Sequence, residues 1–202
     1  MSTQQIVFNN QTTTPLDLAV WQLPVPPAAL LSVYWMRLRA SPGKSAGQQW
    51  DDSLAIVLAQ FQQEPGLGRF TIRESKGTES GRAWTIVTVN GNQLLVDAGE
   101  APTNDEILAM NSSAAAANAG LAQAGAGAFY AQNVLIGTEA SLPTTRTYMA
   151  GLFMDVSPGE VVDPLQLVAI PMPLVYPPGM IQATATAVLQ SSGIVLTITY
   201  GV

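Results

Sequence analysis

Apolar and polar residues alternate along much of this chain with a period of two. The clearest case lies near its end. Ile181, Ala183, Ala185, Ala187 and Leu189 fall on one face, and Gln182, Thr184, Thr186 and Gln190 on the other. After "SSG" the alternation resumes, with Ile194, Leu196, Ile198 and Tyr200 set against Thr197 and Thr199. A period of two is that of a strand with one buried and one polar face, so this stretch predicts a hairpin. The small alanines leave room for larger side chains from a facing sheet.

Further runs rich in β-branched and aromatic residues predict strands at "QIVFNN", "LDLAVWQ", "LSVYWMRLRA", "QQWDDSLAIVLAQFQ", "RFTIRE", "AWTIVTVN", "NQLLVDA", "AFYAQNVLI", "RTYMAGLFMDV" and "LQLVAI". Asn90-Gly91 joins two of them as a hairpin, because both residues tolerate left-handed backbone. Pro42-Gly43, Pro65-Gly66, Pro158-Gly159 and Pro178-Gly179 punctuate the chain. Proline presets the first corner of a turn, and glycine accepts the positive φ of the second.

One segment departs from this pattern, "TNDEILAMNSSAAAANAGLAQAGAG". Thr103 and Glu106 have the spacing of a capping box. Ile107, Met110, Ala114, Ala117 and Leu121 recur at steps of three and four, with Asn104, Asn111 and Asn118 on another face. The period predicts an amphipathic helix over 104–122, within an Ala-rich helical insertion at 103–126. It either lies across a sheet or, through its small residues, forms an assembly contact between subunits.

The expected fold is therefore one all-β domain spanning 1–202: a two-sheet antiparallel β-sandwich with that single helical insertion. The 202 residues and 48% hydrophobic content suffice for a sizeable core. Charge is the outlier, at 11% against an ordinary ~25%. Ser, Thr, Asn and Gln take its place, at roughly a quarter of the chain. A neutral polar surface repels copies of itself weakly, and a net charge of −6 spreads thinly over it.

Two lysines and six arginines, unclustered, exclude a stripe that would neutralise nucleic-acid phosphates or dock on an anionic membrane. The chain has no cysteine, so disulfides and thiolate metal sites are excluded. No basic segment followed by an apolar run opens the sequence, and no apolar run reaches ~18 residues. The expectation is a soluble protein made in the cytoplasm, with export by another route left open.

Three stretches invite a chemical reading. Gly43-Lys44-Ser45 looks like the tail of a phosphate-binding loop, yet position 38 is Leu38 rather than glycine and a strand-like run follows. Trp50-Asp51-Asp52 suggests a ligand contact for a sugar or calcium, but adjacent strand residues point to opposite faces, which argues against a catalytic acid pair. Asp97, Glu100, Asp105 and Glu106 lack the ligand spacing of a calcium loop. The chain has no histidine, which removes Ser-His-Asp and Cys-His catalysis and histidine-ligated zinc. No catalytic group and no cofactor site is expected.

The order "NNQTTTPLDLAVWQLPVP", "SVYWMRLRASPG", "QQWDDSLAIVLAQ", and later "YMAGLFMDVSPGEVVDPLQLVAIPMPLVYPPG", resembles the RhiA-like family of bacterial proteins, known from rhizosphere bacteria. The resemblance covers most of the chain and rests on hydrophobic and turn patterns; the Ala-rich segment departs from it. It implies an all-β sandwich and carries over no catalytic residue. The leading expectation is a non-enzymatic structural protein that assembles with itself into an ordered homo-oligomer, filament or inclusion. The alternative is a lectin-like or membrane-surface module that binds glycan or lipid through exposed aromatics among Trp21, Tyr34, Trp50 and Trp84. A histidine-free hydrolase using carboxylates is the third.

Overall fold

The computed structural model describes residues 3–24, 29–63 and 66–202. Its strands are β1 (Gln4–Gln11), β2 (Leu16–Pro24), β3 (Leu31–Ser32), β4 (Tyr34–Ala40), β5 (Ser45–Trp50), β6 (Leu54–Gln62), β7 (Arg69–Thr78), β8 (Arg82–Val89) and β9 (Asn92–Glu100). They continue as β10 (Glu106–Asn111), β11 (Ala117–Gln123), β12 (Ala126–Val134), β13 (Glu139–Pro143), β14 (Arg146–Phe153), β15 (Met172–Leu174), β16 (Gln182–Gln190) and β17 (Gly193–Gly201). The all-β expectation holds. The expected single pair of sheets is replaced by four, ordered β17-β16-β1-β5, β15-β14-β2-β4, β9-β8-β10-β13 and β3-β12-β11-β6-β7.

The first two sheets enclose one core, around Ile6, Phe8, Leu18, Trp35, Leu152 and Ala185. The other two enclose a second, around Ile56, Trp84, Ile86, Ile107, Leu121 and Phe129. Most pairings are antiparallel, but β1 runs parallel to β16, and β10 parallel to β8.

The two sandwiches repeat one plan. In the first, Asn10 of β1 donates from Nδ2 to the carbonyls of Thr14 and Ala40, and its Oδ1 accepts from the Thr12 amide and hydroxyl. In the second, Asn111 of β10 donates to Ala115 and Val134, and accepts from the Ser113 amide and hydroxyl. The following turns also match. Gly43 N donates to Asn10 O at 2.7 Å, and Gly137 N to Asn111 O at 2.7 Å. Strands β1, β2, β4 and β5 thus correspond to β10, β11, β12 and β13, and β6–β9 to β14–β17. Each sandwich takes strands from both halves of the chain: four from each half in the first, and in the second five from the first half, β3 included, and four from the second.

The helix is not formed. Residues 106–111 and 117–123 are strands β10 and β11, joined by the Asn111 turn. In β10 burial alternates, with Ile107, Ala109 and Asn111 buried and Met110 exposed. Alanine's local helix preference yields to long-range pairing: Leu121 sits between Ile56 of β6 and Phe129 of β12. Gly120 lets the sheet close over an aromatic, since a Cβ there would strike the Tyr130 ring and lie 2.6 Å from Phe129 O. Thr103 Oγ1 does reach Glu106 Oε1, as a capping box would, but ahead of a strand.

Two predicted strands also differ from expectation. "QQWDDSLAIVLAQFQ" is split into β5 and β6, because the Asp51 carboxylate accepts from the Ser53 amide and hydroxyl and turns the chain. No strand forms at "LQLVAI": its first residues belong to a 3-10 turn, Pro164–Gln166, whose Leu165 amide is capped by Asp163 Oδ1, and the rest lies outside any strand. Of the four Pro-Gly turns, the glycines all have positive φ; Pro65 lies outside the described residues, as do Val25, Pro26 and Pro27 of "LPVPP".

Candidate functional site

The sequence singled out Trp50, Asp51 and Asp52. Trp50 is buried in the first core, its ring edge-on to Trp35 at 5.3 Å and to Tyr176 at 5.9 Å. Asp51 is committed to the turn; the Ser53 hydroxyl, and then its amide, hold the Asp51 carboxyl below the usual range. Asp52 Oδ1 accepts from Gln123 Nε2 at 3.5 Å. Trp21, Tyr34 and Trp84 are buried as well, so the four aromatics that would stack on a glycan or enter a lipid surface are core residues.

Two of the four acids Asp97, Glu100, Asp105 and Glu106 are engaged in the same way. Asp97 accepts from Gly99 N and Arg82, which lower its pKa in that order, and Glu106 is lowered by the Ser141 and Thr103 hydroxyls. Among the described residues, no three acidic side chains gather where they would hold a metal ion. The Gly43-Lys44-Ser45 stretch is a turn, with Lys44 N donating to Ser41 O, and it leads into strand β5 rather than a helix.

The proposed assembly contact is dispersed. Ile107, Ala117 and Leu121 belong to the second core, while Met110 and Ala114 are exposed. They form no common face, because two strands and the turn between them replace the helix that would have aligned them.

A different surface stands out. The sheet β17-β16-β1-β5 contains no Asp, Glu, Lys or Arg in any of its four strands. Each of the other three sheets carries ionisable side chains: Asp17, Arg37, Arg39 and Arg146 in one, Arg82, Asp97, Glu100, Glu106 and Glu139 in another, Arg69, Arg73, Glu74 and Lys76 in the third. The outer face of the charge-free sheet is ordered in rows. Ser45, Asn9, Thr186 and Thr197 stand side by side across it, and so do Gly47, Val7, Thr184 and Thr199. The side chains facing inward from the same strands, among them Ile6, Phe8, Ala183, Ala185, Ala187 and Leu196, are buried. Alternation readable in the sequence thus builds a largely polar layer over a packed core.

The joint between the sandwiches holds a buried polar network that the sequence reading missed. Gln22 Nε2 donates to Gln123 Oε1 at 2.7 Å, Tyr148 OH donates to the same oxygen at 2.8 Å, and Gln123 Nε2 donates to Asp51 O at 3.1 Å. Trp35 Nε1 donates to Gln123 O at 3.0 Å. Both glutamines are fully buried. The signal was present in the chain as an Asn-x-Thr/Ser triplet followed at equal distance by a glutamine, once in each half.

Comparisons of this chain with family models, curated proteins and solved structures found no match.

Proposed function

We propose that this protein is a non-enzymatic structural protein that assembles with itself into an ordered homo-oligomer or filament. The supporting observation is the sheet β17-β16-β1-β5, whose outer face is mostly Thr, Gln, Asn and Ser, with Val7, Val188 and Val195 among them, and which carries no Asp, Glu, Lys or Arg. Two such surfaces meet without burying a charge and without like-charge repulsion, although the chain as a whole carries −6. Sheet edges also offer unpaired backbone groups to a neighbour, and lysine, the usual guard of such edges, occurs only twice in the chain.

The buried positions of Trp21, Tyr34, Trp50 and Trp84 remove the exposed aromatics on which the glycan or lipid reading depended. The resemblance to the RhiA-like family is compatible with this proposal and adds no catalytic group to it. Negative-stain microscopy of the purified chain tests the reading. Ordered particles or filaments are expected; uniform monomers at every concentration and salt would overturn it.

A further inference from the structure

The pseudo-repeat supplies an internal comparison between two equivalent sheet edges. Strand β17 is the outermost strand of the charge-free sheet, and β9 is its counterpart in the other sandwich. Edges left open invite pairing with another chain, and bulges and charged side chains block it. β9 carries both devices. Asp97 and Glu100 lie on it, its register with β8 shifts between Ala83 and Trp84, and Gly99 has φ of +94°. β17 carries neither. It pairs with β16 in unbroken register from Gln190–Gly193 to Gln182–Gly201, and its sequence is GIVLTITYG. Among the described residues, no backbone hydrogen bond reaches it on its outer side.

The opposite edge of the same sheet, β5, is a poorer template. It is shorter, at 6 residues against 9, and Lys44 and Asp51 flank it.

Resting on the self-association reading above, we infer that β17 pairs antiparallel with β17 of a second copy across a twofold axis at Thr197. The register follows from the side-chain pattern. Residues opposite each other in an antiparallel pair share a face, so pairing must keep Ile194, Leu196, Ile198 and Tyr200 on the core side of both copies. Full overlap of the strand then sets Thr197 against Thr197, Leu196 against Ile198, Val195 against Thr199 and Ile194 against Tyr200. The strand is nearly palindromic in side-chain character about Thr197, with glycine at each end. The occupant this favours is a second copy, meeting it through the same patch, which closes the contact as a dimer rather than extending it. The four-stranded sheet becomes eight-stranded and continuous.

Thr197 is exposed and points away from the core, so it can be changed without disturbing the fold. T197K and T197E each set like charges against each other at the axis. Each raises the concentration for half-dissociation by at least about tenfold, with unchanged circular dichroism and with unchanged melting at concentrations where wild type is also monomeric. Mixed together, they recover the dimer. Because the chain has no cysteine, T197C should form a disulfide-linked dimer on mild oxidation. V96C, the equivalent position on β9, should not. Wild-type assembly that persists in both charge variants, or cross-linking no better in T197C than in V96C, would overturn the β17 interface while leaving self-association standing. A wild-type chain that remains monomeric would overturn both.

Discussion

Gln22 and Gln123 stand 101 positions apart in the chain, at the same place in the two repeated halves, and they hydrogen-bond to each other at 2.7 Å. The pair marks the line about which one sandwich repeats the other. Gln123 also accepts from Tyr148 OH and donates to Asp51 O, so one buried amide ties together β2, β11, β14 and the turn after β5. Truncation strands several buried partners at once. Q123A should therefore cost about 2–4 kcal/mol in urea unfolding. Replacing both glutamines with leucine should cost less than the sum of the two single leucine changes, because neither partner is then left alone. Strict additivity in that double-mutant cycle would contradict the coupling.

The two asparagine turns make a matched pair. Asn10 and Asn111 are both buried, and each donates to two carbonyls and accepts from the amide and hydroxyl of one downstream residue, Thr12 or Ser113. N10A and N111A should each destabilise by about 2–3 kcal/mol. The effects should be similar, since the bonds lost are the same. A large effect at one site and none at the other would mean that the two sandwiches do not unfold together.

Each sandwich draws strands from both halves of the chain, so neither half contains a complete core. Residues 1–101 and 102–202 expressed separately should show little β-sheet signal by circular dichroism. Combined during refolding, they should recover it. A folded isolated half that stays monomeric would contradict this exchange of strands between the halves.

The pH dependence should be flat in the middle and fall at both ends. Asp51, Asp97 and Glu106 have depressed carboxyl pKa values, from hydrogen bonds led by Ser53, Gly99 N and Ser141 respectively. Their contribution is present above the unfolded values near about 4 and is lost as pH falls through the folded ones. Burial pushes the Tyr34 phenol up to about 12, and it raises those of Tyr130 and Tyr176 as well. Their contribution is complete below the unfolded value near about 10 and disappears as pH rises from there. With no histidine, no side chain has an ordinary pKa between roughly 5 and 8. The melting midpoint should therefore be level from about pH 5.5 to 8.5, and a marked slope there would reveal a titrating group that this arrangement does not contain.

Strand content was legible wherever one face is buried and the other wet. The alternation in 181–200 became β16 and β17, and Asn90-Gly91 became the β8–β9 turn, with φ of +50° and +79°. The Ala-rich stretch misled because alanine suits a helix locally. Its actual partners, Ile56 and Phe129 for Leu121, lie far away or depend on the register of another strand. The repeat was hidden for a related reason. Packing conserves the role of a position rather than its residue: Phe8 corresponds to Ala109 and Trp21 to Ala122, while identity survives at Ile6 and Ile107, Asn10 and Asn111, and Gln22 and Gln123. The charge-free sheet could not be read from composition alone. Low charge was visible, but its concentration into one surface depends on β1 and β5 meeting β16 and β17 from the other end of the chain.

The most direct measurement is the mass of the intact chain by sedimentation equilibrium, across concentration and at low and high salt. A neutral interface on a chain of net charge −6 should associate, and it should associate more strongly as salt screens the remaining repulsion. A mass that rises above one chain with concentration, and more readily at high salt, is the expected result. A mass fixed at one chain throughout would contradict self-association.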